Sequence, residues 1–426
     1  MQKRTERVYL VGAVLKGRTA AEVEEFLDEL AELATTAGGR VVGRAWQKLE
    51  HPHPATFIGP GKAEELAALC QAEEVDTVIF DDELSPAQGR NLERIFECKI
   101  LDRTMLILDI FGQRAQTREG KLQVELARLE HLLPRLTRYW THLHRQKGGI
   151  GMRGGEGETQ LEVDRRKTKE RIDRIRRELV EVRRQREVRR QGRRRHQWPL
   201  ASVVGYTNAG KSTLFNALTG AHVLEEDKLF ATLDPTTRRL RLPSNHNVLL
   251  SDTVGFIRKL PHQLVEAFKA TLDEVVEADL LIHVVDITSP HAREQIEAVN
   301  QVLEEIGAQD KPTLMALNKI DRLENRSILE SWRREWPRAV PISARTGEGF
   351  PELLAELATL LRPAREVVEL AIPHRQGALV SRLHEVGQVI ESRFDGELGH
   401  FRVHLPPHLR AEFAPYIRNG RPRTSA

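Results

Sequence analysis

A chain of 426 residues, 40% of them apolar, is long enough for two to four domains with separate cores. The formal net charge of +3 hides a strongly uneven distribution, and no apolar run approaches the ~20 residues that would span a membrane. Cys70 and Cys98 lack CxxC spacing, and His51/His53, His142/His144 and His400/His404 lack companion ligands, so neither a disulfide framework nor a resident zinc is expected.

The N-terminus carries Lys3, Arg4 and Arg7, but the apolar run Val8 to Leu15 is short and ends at Lys16. It reads as a strand, not a signal peptide, and a cytoplasmic protein is expected. Helix is predicted from Ala20 to Ala37, strand from Arg40 to Gln47, helix from Ala63 to Glu74, strand from Thr77 to Phe80 and helix from Pro86 to Phe96. This alternation predicts a small parallel sheet in an α/β domain over residues 1–112. Gly59-Pro60-Gly61-Lys62 lacks phosphate-loop spacing and reads as a turn before the helix at Ala63. Asp81-Asp82-Glu83 reads as a solvated loop rather than a metal site.

Residues 113–196 are expected to form a basic antiparallel helical hairpin. Leu122, Leu126, Leu129, Leu133, Leu136, Trp140 and Leu143 repeat with spacings 4-3-4-3-4-3, a heptad seam. Pro134 removes one helical hydrogen bond and predicts a kink. After a glycine-rich break, Leu161, Thr168, Ile172, Ile175, Leu179 and Val182 continue on heptad positions, with Arg165 as the polar exception. At 1.5 Å per residue each arm could reach roughly 50 Å. The tip would be residues 148–158, Gly148 to Glu158. Between Arg165 and Arg195 stand 16 Lys/Arg against five Asp/Glu, a local excess of +11. Gly149, Gly151 and Gly154 would let another backbone approach closely, and Arg153, Arg165 and Arg166 would contact phosphates. With aromatics at 5% of residues, shape and phosphate recognition of structured RNA fits better than base stacking.

Residues 197–364 carry five motifs in the order that builds a guanine-nucleotide switch. Leu200 to Val204 reads as a buried strand. It leads into Gly205-Tyr206-Thr207-Asn208-Ala209-Gly210-Lys211-Ser212, and the helix opened by Ser212 and Thr213 runs to Leu218. The loop N–H groups would cradle phosphates, Lys211 would reach the β- and γ-phosphates, and the Ser212 hydroxyl would ligate Mg²⁺. Next come Phe230-Ala231-Thr232-Leu233-Asp234 with Pro235-Thr236-Thr237, then strand Val248 to Leu250 and Asp252-Thr253-Val254-Gly255. Asp252 would reach Mg²⁺ through a water, and the Gly255 N–H would sense the γ-phosphate. Spacing alone does not choose among Thr232, Thr236 and Thr237 for the Mg²⁺ shell. Strand Leu314 to Leu317 places Asn318-Lys319-Ile320-Asp321 at its carboxyl end, and Ser343-Ala344-Arg345 follows. The Asp321 carboxylate can accept from guanine N1 and N2 hydrogens, a donor pair adenine lacks. Asn318 would hold the N7/O6 edge and position the loop, and the Lys319 stem would pack on the base plane.

The motifs imply GTP binding and hydrolysis to GDP and phosphate. Phe256 stands where many GTPases place a water-orienting Gln, so slow hydrolysis in isolation is expected. Asn208 in the phosphate loop of a chain without that Gln makes K⁺ a second candidate cofactor beside Mg²⁺. The C-terminal residues, 365–426, read as a small α/β domain: strand Val367 to Ile372, helix Gly377 to His384, and strands Val389 to Phe394 and His400 to Leu405 joined at Asp395-Gly396.

The segment Gly148 to Arg166, GGIGMRGGEGETQLEVDRR, resembles the hallmark of the HflX family of translational GTPases. Glu83-Leu84-Ser85-Pro86 through Asn91-Leu92-Glu93, Asp102-Arg103-Thr104 through Ile110-Phe111, and Phe230 to Arg238 also resemble that family. The resemblance covers nearly the whole chain and makes Thr232 the Mg²⁺-ligating threonine of switch I. It implies a monomer that binds the large ribosomal subunit and its rRNA, with the hairpin tip near the peptidyl-transferase centre, and dissociates stalled or idle ribosomes under stress. Two other classes stand beside it. One is an RNA-remodelling, helicase-like ATPase, for which no second Walker A motif is present. The other is a regulatory GTPase held peripherally at a membrane by its basic arm, which lacks Trp or Phe on its apolar face.

Overall fold

The computed structural model describes residues 5–136, 160–194, 198–220, 229–230, 234–243, 247–259, 269–361, 366–405 and 409–417. The chain divides into two compact units, residues 1–354 and 355–426, within the helix Phe350–Leu360 and ahead of the expected boundary at 365.

The first unit opens with strand β1 (Arg7–Val14), helix α1 (Ala20–Thr36), β2 (Arg40–Lys48), α2 (Pro60–Ala72), β3 (Thr77–Phe80) and α3 (Pro86–Phe96). The four strands of this sheet are parallel in the order β2-β1-β3-β4, where β4 is Lys99–Asp102. β1 is buried from Val8 to Val14, as a parallel strand covered on both faces must be. Capping boxes at Thr19/Glu22 and Ser85/Gln88 start α1 and α3. α2 begins at Pro60, earlier than the sequence suggests. Proline suits a helix's first turn, where its missing N–H has no helical partner. β4 and the following α4 (Arg103–Arg114) are not resolved by periodicity, because α4 is apolar on nearly every side and buries Met105, Leu106, Ile107, Leu108, Ile110 and Phe111.

The hairpin arms are α5 (Arg118–Leu132) and α6 (Gln160–Arg194). Pro134 does more than kink α5. The α-helix ends at Leu132, and a 3-10 turn takes over from Leu133 to Leu136. The seam joins Leu122 to Ile175 and Leu179, flanked by Leu126, Leu129 and Val182. The pairs Arg118–Glu178 at 3.2 Å and Glu125–Arg171 at 2.8 Å fall in reversed order along the two arms, as antiparallel packing requires. The base is anchored by Asp102, wholly buried, which accepts from the Met105 N–H at 2.9 Å and pairs with Arg135 and with His131 at 3.6 Å. Burial opposes the ionised form of Asp102, but His131 and Arg135 outweigh it and hold the carboxyl at about 2. Trp140, Leu143 and the expected tip at 148–158 lie outside the described residues.

A six-stranded sheet completes the first unit. It contains β5 (Leu200–Gly205), β6 (Thr236–Arg241), β7 (Asn247–Asp252), β8 (Leu280–Asp286), β9 (Thr313–Asn318) and β10 (Val340–Pro341), in the order β10-β9-β8-β5-β7-β6. Only β6 runs antiparallel. Its helices are α7 (Lys211–Thr219), α8 (Lys269–Val276), α9 (Ala292–Glu305), α10 (Ile328–Glu335) and α11 (Phe350–Leu360). The second unit is an antiparallel sheet, β11 (Glu366–Pro373), β13 (Leu398–Leu405) and β12 (Gln388–Asp395) in that spatial order, with α12 (Gly377–Val386) and a core of Leu370, Ile372, Leu383, Phe401 and Phe413.

Candidate active site

The carboxyl ends of β5, β7, β9 and β10 bring four of the five motifs together, the position where open α/β sheets hold ligands. β5 delivers the loop Gly205 to Gly210, and α7 begins at Lys211. Gly210 has φ +93°, and a Cβ there would collide with the Asn318 side-chain amide, so only glycine fits. Asn208 also has positive φ, +60°, a conformation Asn tolerates better than most residues, and its side chain is exposed. The Lys211 ammonium is buried and donates to the Tyr206 carbonyl at 2.5 Å. Burial lowers its pKa to about 8, against the opposing pull of Asp252.

Behind the loop, Ser212 Oγ donates to Asp252 Oδ2 at 2.9 Å, so a hydroxyl and a carboxylate converge at the start of α7. A hard divalent cation accepts such oxygen donors together with phosphate oxygens. The donor set therefore fits Mg²⁺ held jointly with a nucleotide. Thr253 Oγ1 donates to the Val203 carbonyl at 2.6 Å, and Val254 is buried; both shape the strand end. Gly255 lies so close to the loop that a Cβ would stand 2.8 Å from Thr207 Cγ2 and 2.9 Å from Lys211 Nζ. His283, in β8, is buried, and burial together with nearby Lys211 holds its pKa down to about 4.

On the base side, Asn318 Nδ2 donates to the Ala209 carbonyl at 2.8 Å, and Asn318 Oδ1 accepts from the Ala344 N–H at 2.9 Å. One side chain thus ties the phosphate loop to the Ser343-Ala344-Arg345 segment. Lys319, at φ +67°, pairs with Asp286 at 2.7 Å, and Ile320 is buried beneath it. Asp321 and Arg345 are exposed, and Ser343 is buried and accepts from the Thr346 N–H at 3.1 Å. The Asp321 carboxylate is therefore available to a ligand.

The switch segments face the N-terminal sheet. Phe256 is 1% exposed and sits in the core, and its backbone N–H and carbonyl pair with the Gly205 carbonyl (3.1 Å) and the Thr207 N–H (2.7 Å). Phe230 and Asp234, expected among the nucleotide contacts, turn their side chains elsewhere, Phe230 to the N-terminal domain and Asp234 to the hairpin. Phe230 packs edge-on to Phe111 at 4.6 Å. The Asp234 carboxylate accepts from the N–H groups of Gln116 and Thr117, both at 2.9 Å, and from Thr117 Oγ1 at 2.5 Å, at the start of α5. Ala231, Thr232 and Leu233 lie outside the described residues, as do Gly149, Gly151, Arg153 and Gly154; Arg165 and Arg166 are exposed on α6.

Asp81-Asp82-Glu83 is not the solvated loop that its composition suggests. Asp81 is 2% exposed and pairs with Arg103 at 2.8 Å and with Lys259; Asp82 pairs with Lys259 at 2.9 Å and Arg18 at 3.1 Å. The carboxyl ends of β3 and β4 thus receive switch II. Arg258 joins it, paired with Glu25 at 2.6 Å, and both Arg258 and Lys259 lie over the Phe26 ring, at 5.4 and 4.8 Å from its centroid. No spacing rule links residues 178 or 233 positions apart, and this interface has no local sequence signal.

Three family models match: "GTP-binding GTPase N-terminal" over residues 24–112, "GTP-binding GTPase Middle Region" over 114–193, and "50S ribosome-binding GTPase" over 201–319. The GTPase HflX of Magnetococcus marinus is 48% identical over 404 residues, covering 94% of this chain and 93% of its own. The GTPase HflX of Escherichia coli strain K12 is 51% identical over 376 residues, 88% of each chain. That of Caldanaerobacter subterraneus is 50% identical over 414 residues, 97% of this chain and 93% of its own. A solved structure described as a complex of SsGBP and GDP is 28% identical, with a TM-score of 0.48 over 84% of this chain and 98% of that one. With close to every second residue identical along almost the full length of both partners, on a fold that assembles a P-loop and its base-reading motif at one sheet edge, the chain belongs to the HflX family of GTPases and hydrolyses GTP.

Proposed function

We propose that this GTPase binds the large ribosomal subunit through its basic hairpin and uses the GTP cycle to dissociate stalled or idle ribosomes under stress. One observation carries the reading: Asp234, at the edge of switch I, holds the start of the first hairpin arm. A nucleotide-sensing segment attached to one arm of a hairpin whose other arm is Arg-rich is what coupling GTP to an RNA surface requires. The name of the family model over residues 201–319, "50S ribosome-binding GTPase", supports the same partner. The tip at 148–158, with Gly149, Gly151, Arg153 and Gly154, would meet rRNA, and Arg165 and Arg166 on α6 would follow its phosphates.

In this reading Gly205 to Thr213 surround the phosphates, and Asp321 reads the guanine N1 and N2 hydrogens. Asn318 braces the loop through Ala209, with its remaining amide hydrogen toward the base edge. Lys319 and Ser343 to Arg345 flank the base. Water attacks the γ-phosphorus, and the bond to the β–γ bridging oxygen breaks, leaving GDP and phosphate. Lys211 offsets the charge that develops on the departing oxygens, and the Gly255 N–H faces the γ-phosphate. Ser212 and Thr232 would hold Mg²⁺, with Asp252 through a water; the ion supplies positive charge to the β- and γ-oxygens. K⁺ beside Asn208 would add more. Phe256, buried in the core, leaves the water without a partner from its position, so either another group orients the water or the ribosome organises the site.

The domains proposed are 1–112 (N-terminal), 113–196 (hairpin), 197–364 (GTPase) and 365–426 (C-terminal), in a monomeric, cytoplasmic protein. Among the described residues no helix is long and apolar enough to cross a membrane. The test follows GTP hydrolysis with purified large subunits, for wild type and a deletion of Gly149 to Gly157, alongside subunit dissociation in a gradient. Stimulation of the wild type and loss of splitting by the deletion are expected; no stimulation, or full splitting by the deletion, would reject the reading.

A further inference from the structure

Tyr206 is the second residue of the phosphate loop, yet its side chain has nothing to do with phosphate. It is 5% exposed, and its hydroxyl donates to the Glu29 carboxylate on α1 and accepts from the Arg258 N–H at 2.9 Å. The other Glu29 oxygen accepts from the Arg103 guanidinium. Arg103, 4% exposed in its side chain, also donates to Asp81 at 2.8 Å and to the Arg258 carbonyl at 3.3 Å. Both backbone polar groups of Arg258, three residues beyond Gly255, are therefore held by one network: the N–H by a hydroxyl that Glu29 aims, the carbonyl by Arg103. The same tyrosine's carbonyl takes the Lys211 ammonium. Hydrogen bonds this buried are strong and directional, and a bridging hydroxyl fixes the groups on its two sides relative to each other. The two residues at the centre of the network belong to the N-terminal domain, outside every GTPase motif.

We propose that Glu29 and Arg103 are positioning residues for GTP hydrolysis, acting through the Tyr206 hydroxyl and the Arg258 backbone to hold Gly255 to Arg258 in register with the phosphate loop. The inference rests on the nucleotide-site assignment above. Ground-state contacts to GDP do not pass through this network, whereas the γ-phosphate-facing Gly255 N–H depends on where switch II sits. Release of the network should therefore lower kcat and spare binding.

The test uses the full chain with Tyr206→Phe, Glu29→Ala and the double variant, and Lys211→Ala as a reference. Affinity for a fluorescent GDP analogue, KM and kcat are measured for each. Tyr206→Phe removes one oxygen and leaves the ring in its pocket, so it carries the test even if Glu29→Ala folds poorly. Each single variant is expected to lose roughly tenfold in kcat, within the range that small misplacements of reacting groups produce. GDP affinity and KM should stay within about twofold, and the double variant should be no slower than the worse single one. Unchanged kcat in Tyr206→Phe, losses that multiply in the double variant, or an affinity that falls in step with kcat would each overturn the inference. If Lys211→Ala bound and turned over nucleotide like wild type, the site assignment itself would be wrong; if Lys211→Ala fails while Tyr206→Phe hydrolyses GTP normally, only the positioning role falls.

Discussion

Gly120→Ala should loosen the start of α5, although local helix energetics say the opposite. Gly120 sits in the first turn after the Thr117 cap, where its N–H donates to Thr117 Oγ1 at 3.0 Å. In a helix interior, Ala is better than Gly by ~1 kcal/mol, and somewhat less in a first turn. At this position, however, a Cβ would stand 2.6 Å from Asp234 Oδ1 and 3.2 Å from Thr117 Oγ1. The carboxylate must retreat, and it accepts from Gln116 N–H, Thr117 N–H and Thr117 Oγ1. Hydrogen bonds to a charged group contribute ~1.5–3 kcal/mol each. A carboxylate at a helix N-terminus adds ~0.3–1 kcal/mol. The contacts are exposed, so the lower values apply. Weakening two of the three against the propensity gain leaves a local loss of about 1–2 kcal/mol. Hydrogen exchange read by mass spectrometry over a peptide containing Gln116 and Thr117 should then quicken roughly 5- to 30-fold. Asp234→Ala should do the same, and the double variant should add little. Exchange that is unchanged or slower in Gly120→Ala would show that Asp234 does not hold this turn and would refute the argument.

Asp321→Asn should weaken GTP binding and favour xanthine nucleotides, since the amide presents a donor where the carboxylate accepted; equilibrium titration with both nucleotides checks this, and unchanged GTP affinity would count against it. Ser212→Ala or Thr232→Ala should abolish Mg²⁺-dependent turnover while GDP binding remains measurable, which a malachite-green phosphate assay and a fluorescent GDP analogue separate. Lys211, lowered to about 8 by burial, carries a destabilising charge at pH below 8, and that penalty fades as pH rises toward the unfolded value of 10.5, so the nucleotide-free fold gains stability across that window. Phosphate contact should return the proton: calorimetry of GDP binding in buffers of different ionisation enthalpy should show proton uptake that grows from pH 7 to pH 9. K⁺ should raise turnover over Na⁺ at equal ionic strength; equal rates would leave Asn208 with no role beyond its left-handed backbone.

The GTPase motifs were legible because each is a contiguous run whose spacing is imposed by local geometry: a strand, a loop whose glycine avoids a collision with Asn318, and a helix. Strands β1, β2 and β3 of the first sheet, the motif-bearing strands β5, β7 and β9 of the second and the hairpin seam could be read for the same reason, since periodicity reports burial, whereas β6, β8 and β10 were not read. What escaped was the contact between distant segments. Asp81 and Asp82 look like loop residues until Arg103 and Lys259 arrive from elsewhere in the fold. Phe230 and Asp234 stand in a switch-like motif, but motif spacing carries no information on which way a side chain turns. β4 and α4 were lost in one apolar stretch that has neither period because it is buried nearly all round.

Two carboxylates grip the first hairpin arm, one at each end. Asp234 holds it at Gln116 and Thr117, and Asp102 holds it at His131 and Arg135. The 15 residues of α5 put these supports roughly 22 Å apart. They differ in kind: Asp102 is buried in the N-terminal domain, whereas Asp234, in the function proposed above, would belong to a segment that answers to the nucleotide. A beam with one fixed and one moving support rotates instead of sliding. A displacement of about 1 Å at Asp234 turns the arm by about 3° around Asp102 at this spacing.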